Sequence, residues 1–234
     1  VPSRYDYGLL PTPAGPVPLT VVTGDQSAVP FAFGPLDSGI VYVNLGTGAF
    51  AQRAVSGALP VAPRLLVSVV WSTAGHVDYL LEGTVNGAGS ALDWLANQEG
   101  APLPLLLAEA EASRAVNETP PLFINGVGGL GAPFWKPDFP IEFIGSGDDL
   151  QLLVAVVESI VFLLSVNLEA MRGVATLERI VISGGLARCD YLCQALADVN
   201  GLVVERYALQ EATARGIAFL AAGEPAHRIV PDIE

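Results

Sequence analysis

The sequence predicts an α/β protein built on one mixed sheet with helices packed on both faces, and three observations carry that prediction. Short apolar runs come first at hairpin-like spacing, and strands then alternate with helices. Of 234 residues, 51% are hydrophobic and 15% charged. A chain of this size hides roughly 70% of its unfolded surface, so a large core is available. The third observation is "LQLLVAVVESIVFLLSVNLEAMR" (150–172). As a helix it places Gln151, Glu158, Ser165, Glu169 and Arg172 along one narrow stripe and leaves the rest apolar apart from Asn167, the pattern of a helix inside a core.

Taken in order, "YGLLPTPAGPVPL" (7–19) has four prolines and reads as a connector. Apolar runs at 17–22, 40–45, 49–55 and 65–71 read as strands, with 77–81 a further strand candidate. "NGAGSALDWLANQ" (86–98) reads as a helix approached through glycines, and 103–115 as a second. "PPLFING" (120–126) is a short strand running into the loop "GVGGLGAPFWKPDFP" (126–140), and the long helix spans about 149–172. A strand at 177–183, a helix at 188–199, a strand at 201–206 and a helix at 210–222 complete the expectation. Length alone allows one or two domains.

Charge and residue usage exclude several functions. The net charge of −13 arises from only 11 Lys plus Arg, so no basic patch exists to grip a phosphate backbone, and nucleic acid is excluded as a partner. Small-molecule phosphates remain accessible, because backbone N–H groups bind them without lysine. Cys189 and Cys193 form neither a disulfide framework nor a four-ligand metal site, and His76 and His227 stand apart, so no metal site is expected. Two inert thiols fit a reducing compartment, and no secretory signal is read at the start, so the expected location is cytoplasmic. Glu158, Ser165, Asn167 and Glu169 interrupt the longest apolar stretch, which argues against a membrane span. The first residue is Val1 and the single methionine is Met171, which leads us to expect a fragment or a processed product.

Five places could carry chemistry. "VTGDQSA" (22–28) sets Asp25 at the end of an apolar run, where it is either a helix cap or a base. "VNLGTGAF" (43–50) puts Gly46, Thr47 and Gly48 between two strands. A hairpin turn needing φ > 0 would explain both glycines, and a phosphate held by N–H groups and the Thr47 hydroxyl would explain them equally. "IVISGGLARCDYL" (180–192) is a strand, a Gly-Gly turn and a helix start, where tight turning and close approach to a ligand are alternatives. "EGTVNGAGSALDWL" (82–95) offers another glycine-lined helix start. "GLGAPFW" (129–135) groups glycines, proline and aromatics that make poor core and a good wall or lid.

In this order the pieces resemble the C-terminal half of the FGGY carbohydrate kinases, its glycerol-kinase-like members most of all. The matching stretches are "GDQSA", "LGTGAF", "YLLEGTVNGAGSALDWL", "GLGAPFWKPDF", "VAVVESI", "ISGGLARCDYL" and "VERYALQEATARGIAFLAAG", and they cover about residues 8–223. The resemblance implies a ribonuclease H-like (actin-like ATPase) domain over 17–226, with 1–16 a connector from a missing N-terminal domain and 227–234 a tail. It implies a kinase that moves the γ-phosphate of ATP to a sugar or polyol hydroxyl in the cleft between two domains, inactive without the N-terminal half. Asp25 would be the general base and would bind substrate together with Gln26. Gly46, Thr47 and Gly48 would contact the nucleotide phosphates, while Gly89, Asp93, Gly184, Gly185 and Cys189 would border the nucleotide. Mg2+ would be held mainly by the absent half, and a homo-oligomer stays open.

The chain departs from the family pattern at Cys189, where an asparagine is usual, at Asp93, where a glutamine is usual, and at Lys136, which reverses a charge. The stretch 145–151 is also several residues short of the family spacing. These departures suit a polyol or ketose other than glycerol. A non-catalytic nucleotide-binding or interaction module on the same fold is the alternative, and an acetate-kinase relative a weaker one.

Overall fold

The computed structural model describes residues 1–99, 119–174, 176–207 and 211–223. Six strands form the central sheet: β3 (Ile40–Leu45), β4 (Ala49–Ser56), β5 (Leu66–Ser72), β6 (Val77–Val85), β9 (Arg179–Ser183) and β10 (Val203–Arg206). Their order is β10-β9-β3-β4-β6-β5. The first three neighbours are parallel and the last three pairings antiparallel, so the sheet is mixed as expected. The hairpins β3–β4 and β5–β6 need only short loops, whereas the parallel β9 reaches β3 through a long crossover.

Both faces are covered. On one, α2 (Gly89–Glu99), α3 (Asp149–Arg172) and α4 (Asp190–Asn200) close the main core, in which Leu92, Leu95, Leu153, Ile160, Leu164, Leu168 and Met171 are at most 1% exposed. On the other, α1 (Asp25–Ala28), a 3-10 turn (Val29–Phe33) and α5 (Ala212–Ala221) cover a smaller core of Val21, Phe31, Val70, Trp71, Leu80 and Leu220. The expected helix at 103–115 lies outside the described residues.

The long helix α3 begins with a reciprocal cap: Asp148 accepts from the Gln151 N–H, and the Gln151 side chain accepts from the Asp148 N–H. By length and composition alone α3 could cross a membrane. Its inner surface is instead core, and part of its polar stripe meets α4, where Tyr191 donates to Glu158 at 2.7 Å and Asn200 donates to Ser165 at 2.9 Å. Burial first, then the Glu158 carboxyl, pushes the Tyr191 phenol well above its usual pKa. Phe162 and Val166 face outward and remain exposed.

Three elements differ from the sequence reading. The run 17–22 is not a strand of the main sheet; β1 (Leu9–Leu10) and β2 (Val17–Pro18) form a separate ribbon, and Arg4 bridges Val21. Pro16 and Pro18 have no N–H to donate, which confines this segment to a ribbon outside the sheet. β6 runs to Val85, well beyond the apolar stretch that suggested it. The strand β8 (Ile141–Ile144) has no counterpart in the sequence reading; it pairs with β7 (Leu122–Asn125), and Phe123, Phe143 and Trp94 of α2 make an aromatic cluster with ring centroids 4.7–6.2 Å apart.

α5 docks by close backbone approach. A Cβ on Gly216 would run into the Ala28 carbonyl, and Arg215 donates to the Ala32 carbonyl at 3.0 Å. The obstacle is main chain and cannot rotate away. Gly216→Ala is therefore expected to destabilise the chain by about 1–3 kcal/mol despite the better helix propensity of alanine, read as a lower urea midpoint. A stabilised variant would refute this account of the docking.

Candidate active site

Asp25 and Gln26 open the short helix α1, with Gly24 at the N-cap in extended backbone. Asp25 is exposed, and its Oδ1 accepts the Gln26 N–H at 2.8 Å. That contact reaches only the next residue, so Asp25 does not cap a helix from its N-cap position, which is one of the two roles the sequence left open. Thr213 of α5 donates to the Asp25 carbonyl at 3.4 Å, and Gln52 of β4 reaches the Gln26 carbonyl at 3.4 Å. The pair is thus held between α5 and the sheet face.

Gly46, Thr47 and Gly48 form the β3–β4 turn, with Gly46 N–H donating to the Gly48 carbonyl at 2.9 Å. Neither glycine has a left-handed φ, so turn strain does not account for them. Close approach does for Gly48, where a Cβ would lie 3.0 Å from the Val85 carbonyl oxygen. Gly89, buried at the start of α2, supports the turn from below. Its N–H donates to the Gly46 carbonyl at 3.0 Å and the Ser90 N–H to the Thr47 carbonyl at 2.9 Å. Thr47 and Gly46 are left exposed at the tip. Asp93 is exposed one turn further along α2.

Because β3 and β9 are parallel, the Gly184–Gly185 turn emerges beside the Gly46–Gly48 turn, at the carboxyl ends of both strands, where open α/β sheets place ligands. Gly184 has φ +95° and lies against the Leu45 carbonyl too closely for any side chain. Gly185 faces open space: a Cβ there would meet nothing within 4 Å. Arg206 of β10 fixes this turn, donating to the Ala187 carbonyl at 3.0 Å and pairing with Asp190 at 2.7 Å. Cys189 is 1% exposed and belongs to the main core, so its thiol lies below the turn and not on its surface. Cys193 is half-buried; burial pushes its thiol up to about 11, with Arg206 opposing the shift.

The "GLGAPFW" loop is a wall docked on the end of β6. The Ala132 N–H donates to the Thr84 hydroxyl at 3.1 Å, and a Cβ on Gly131 would sit 2.5 Å from the Thr84 carbonyl oxygen. Trp135, at φ +53°, donates its indole N–H to the carbonyl of Arg64, itself at φ +74°, with 2.7 Å between the atoms. Lys136 lies 5.9 Å from the Phe139 ring centroid.

Two groups escaped the sequence reading. Asn125, 5% exposed, donates to the Gly87 carbonyl at 2.8 Å and to Ser159 at 2.9 Å, buttressing the approach to Gly89. Gln52, fully buried, donates to Glu82 at 3.1 Å, and Ser68 donates to the other Glu82 oxygen at 2.7 Å. The only sequence signal for these was a polar residue within an apolar run.

A family model described as the FGGY family of carbohydrate kinases, C-terminal domain, matches residues 41–223. The chain belongs to that family. A glycerol kinase of Rippkaea orientalis is 34% identical over 214 residues, covering 87% of this chain and 42% of the relative. A glycerol kinase of Alkalilimnicola ehrlichii is 36% identical over 216 residues, covering 88% of this chain and 43% of the relative. The chain thus spans less than half the length of these curated relatives. Among solved structures, Plasmodium falciparum glycerol kinase with ADP superposes with a TM-score of 0.82 at 23% identity, covering 94% of this chain and 46% of that one. A xylulose kinase of Lactobacillus acidophilus gives 0.77 at 19% identity, covering 93% and 46%. This FGGY-family chain therefore has the fold of those kinases, the actin-like ATPase fold that its sequence motifs suggested.

Proposed function

We propose that this chain is the C-terminal domain of an ATP-dependent carbohydrate or polyol kinase, with glycerol the first acceptor to test. The observation that carries the reading is the pair of glycine turns side by side at the carboxyl ends of β3 and β9, with Asp25–Gln26 linked to the same sheet through Gln52 of β4. Gln52, which reaches Gln26, stands four residues along β4 from Gly48, roughly 13 Å at ~3.3 Å per residue. ATP supplies the phosphoryl group. Gly46, Thr47 and Gly48 hold its phosphates, and Gly184 and Gly185 let backbone approach the rest of the nucleotide, a role that the open space around Gly185 supports. Asp93 remains exposed beside the turn as a further contact, whereas burial leaves the Cys189 side chain none to offer.

Asp25 takes the proton of the attacking hydroxyl; with Oδ1 engaged by the Gln26 N–H, Oδ2 is the accepting atom. Gln26 orients the acceptor. In phosphoryl transfer, positioning and charge stabilisation outweigh covalent work by the protein, so an exposed, well-held carboxylate suffices. Among the described residues no group of three His, Cys, Asp or Glu side chains could hold a cation. Mg2+ would therefore be held by the ATP phosphates and by groups outside these residues, and the other half of the kinase would complete the cleft in the cytoplasm.

Coupled-assay ADP release by the full-length protein over glycerol, other polyols and ketoses tests the reading. Turnover of one acceptor supports it; ATP binding with no turnover of any acceptor would favour a non-catalytic nucleotide-binding module. A second measurement tests the turn. A Cβ on Gly89 would lie 2.7 Å from the Gly46 carbonyl oxygen and 3.2 Å from the Thr47 Cα. Gly89→Ala is expected to raise the KM for ATP about 10-fold or more, with a smaller effect on the acceptor KM. An unchanged ATP KM would remove the turn from the nucleotide site.

A further inference from the structure

Gln52 occupies a position that packing alone would give to an apolar residue. It is fully buried in β4, an interior strand of the sheet, with Tyr42 opposite on β3 and Glu82 opposite on β6. Its amide has a fixed orientation. Nε2 donates to Glu82 Oε2 at 3.1 Å and points to the Gln26 carbonyl at 3.4 Å. Glu82 Oε1 is already taken by the Ser68 hydroxyl at 2.7 Å. A half-turn of the amide would face its oxygen toward the Glu82 oxygen and forfeit both donations. The Gln52 Oε1 is thereby committed as an acceptor, and it is buried with no donor among the described residues. The Gln26 Oε1 is buried without a donor in the same way. Buried acceptors left without donors call for an explanation, and four amide oxygens are in that state among the described residues, on Gln26, Gln52, Asn125 and Asn167. Two of them on residues joined by one contact, next to Asp25, point to the same missing donor chemistry.

We infer that Gln52 is a specificity-determining residue of the acceptor pocket, presenting a fixed carbonyl beneath Gln26 that selects an acceptor with a hydroxyl donor at that depth. This rests on the kinase reading of the site and narrows its substrate class. The acceptor is a polyol or sugar whose hydroxyls donate at two points, one to Gln26 and one to Gln52. A methylene, an ether or a fluorine at the second point is rejected, because it leaves the Gln52 oxygen unpaired.

The experiment is a calorimetric titration of polyols and ketoses into the full-length protein, and into its Gln52→Leu and Gln52→Met variants, with product formation measured separately. The monodeoxyfluoro analogues of the best-bound acceptor complete a double-mutant cycle, since fluorine cannot donate. In the parent protein one analogue is expected to bind about 10-fold or more weakly, and Gln52→Leu to weaken the acceptor similarly. In the variant that analogue should lose nothing further, and the Kd for ATP should stay put. A general loosening of the fold would not give this pattern. Equal acceptor affinity in parent and variants, or an analogue penalty that persists undiminished in them, overturns the inference. If neither variant folds, the analogue series on the parent decides: no analogue weakened overturns it. An acceptor that binds but is never phosphorylated sinks the kinase reading instead, while the cycle still judges Gln52.

Discussion

Asp25→Asn in the full-length protein is expected to lower kcat by about 10²–10⁴-fold while leaving the affinity for ATP within about 3-fold. The substitution is chosen because it spares the local structure. The asparagine introduced there would keep an Oδ1 able to accept the Gln26 N–H, the side-chain hydrogen bond that Asp25 makes at 2.8 Å among the described residues. What disappears is the capacity to take a proton. The loss should fall toward the lower end of the range, since the base does little covalent work in phosphoryl transfer. A purely structural Asp25 predicts the opposite split: a small fall in stability and an unaltered kcat. The N-cap of α1 is Gly24, so a stability effect has little to act through. Single-turnover kinetics beside a denaturation curve separate the two, and an unaltered kcat would end the general-base assignment.

Much of this candidate site could be proposed from the sequence because its groups sit where chain direction changes. Asp25–Gln26, Gly46–Thr47–Gly48 and Gly184–Gly185 each interrupt an apolar run, and the structure places the two glycine turns side by side through the parallel pairing of β3 and β9. Why the glycines are there was less legible. Gly46 and Gly48 avoid the left-handed region that a hairpin turn suggests, and Gly48 and Gly89 owe their identity to neighbours about 40 residues away in sequence. The mixed sheet and both helical layers followed from strand spacing and from the stripe on α3. The ribbon of residues 9–18 did not, because an extended apolar segment reads alike in a ladder or outside one, and the prolines decide only once the partner is known. β8 is four residues long and follows a proline-rich loop, too short for any period to register. Gln52 and Arg53 were invisible for a related reason. Both faces of β4 are covered, so inward and outward positions cannot be told apart by polarity.

Arg53 carries the second large effect. It is 1% exposed, and burial lowers the pKa of its guanidinium, though an arginine stays charged across the working range of pH. Nε donates to the Ser38 carbonyl at 2.8 Å, and the two terminal nitrogens donate to the carbonyls of Met171 at 2.8 Å and Thr176 at 2.9 Å. Three segments meet on one side chain: the turn before β3, the last turn of α3 and the approach to β9. Met171 lies in the last turn of α3, where the helix dipole is negative and favours a cation, and its carbonyl accepts the Val174 N–H at 3.1 Å as well. Arg53→Ala removes three charge-assisted donations that tie these segments together and opens a cavity at a buried site, and is expected to destabilise the chain by about 3–5 kcal/mol in urea denaturation. Arg53→Lys keeps the charge but offers no planar fork, and one ammonium cannot span three carbonyls on three segments. It should recover less than half of the loss. The consequence reaches the site, because β4 carries the Gly46–Gly48 turn at one end and Gln52 beside Arg53. Loosening the α3 terminus therefore predicts a rise in the KM for ATP at temperatures well below the unfolding midpoint. A lysine variant as stable as the parent would show that the charge alone matters, and that the fork holding the three segments together does not.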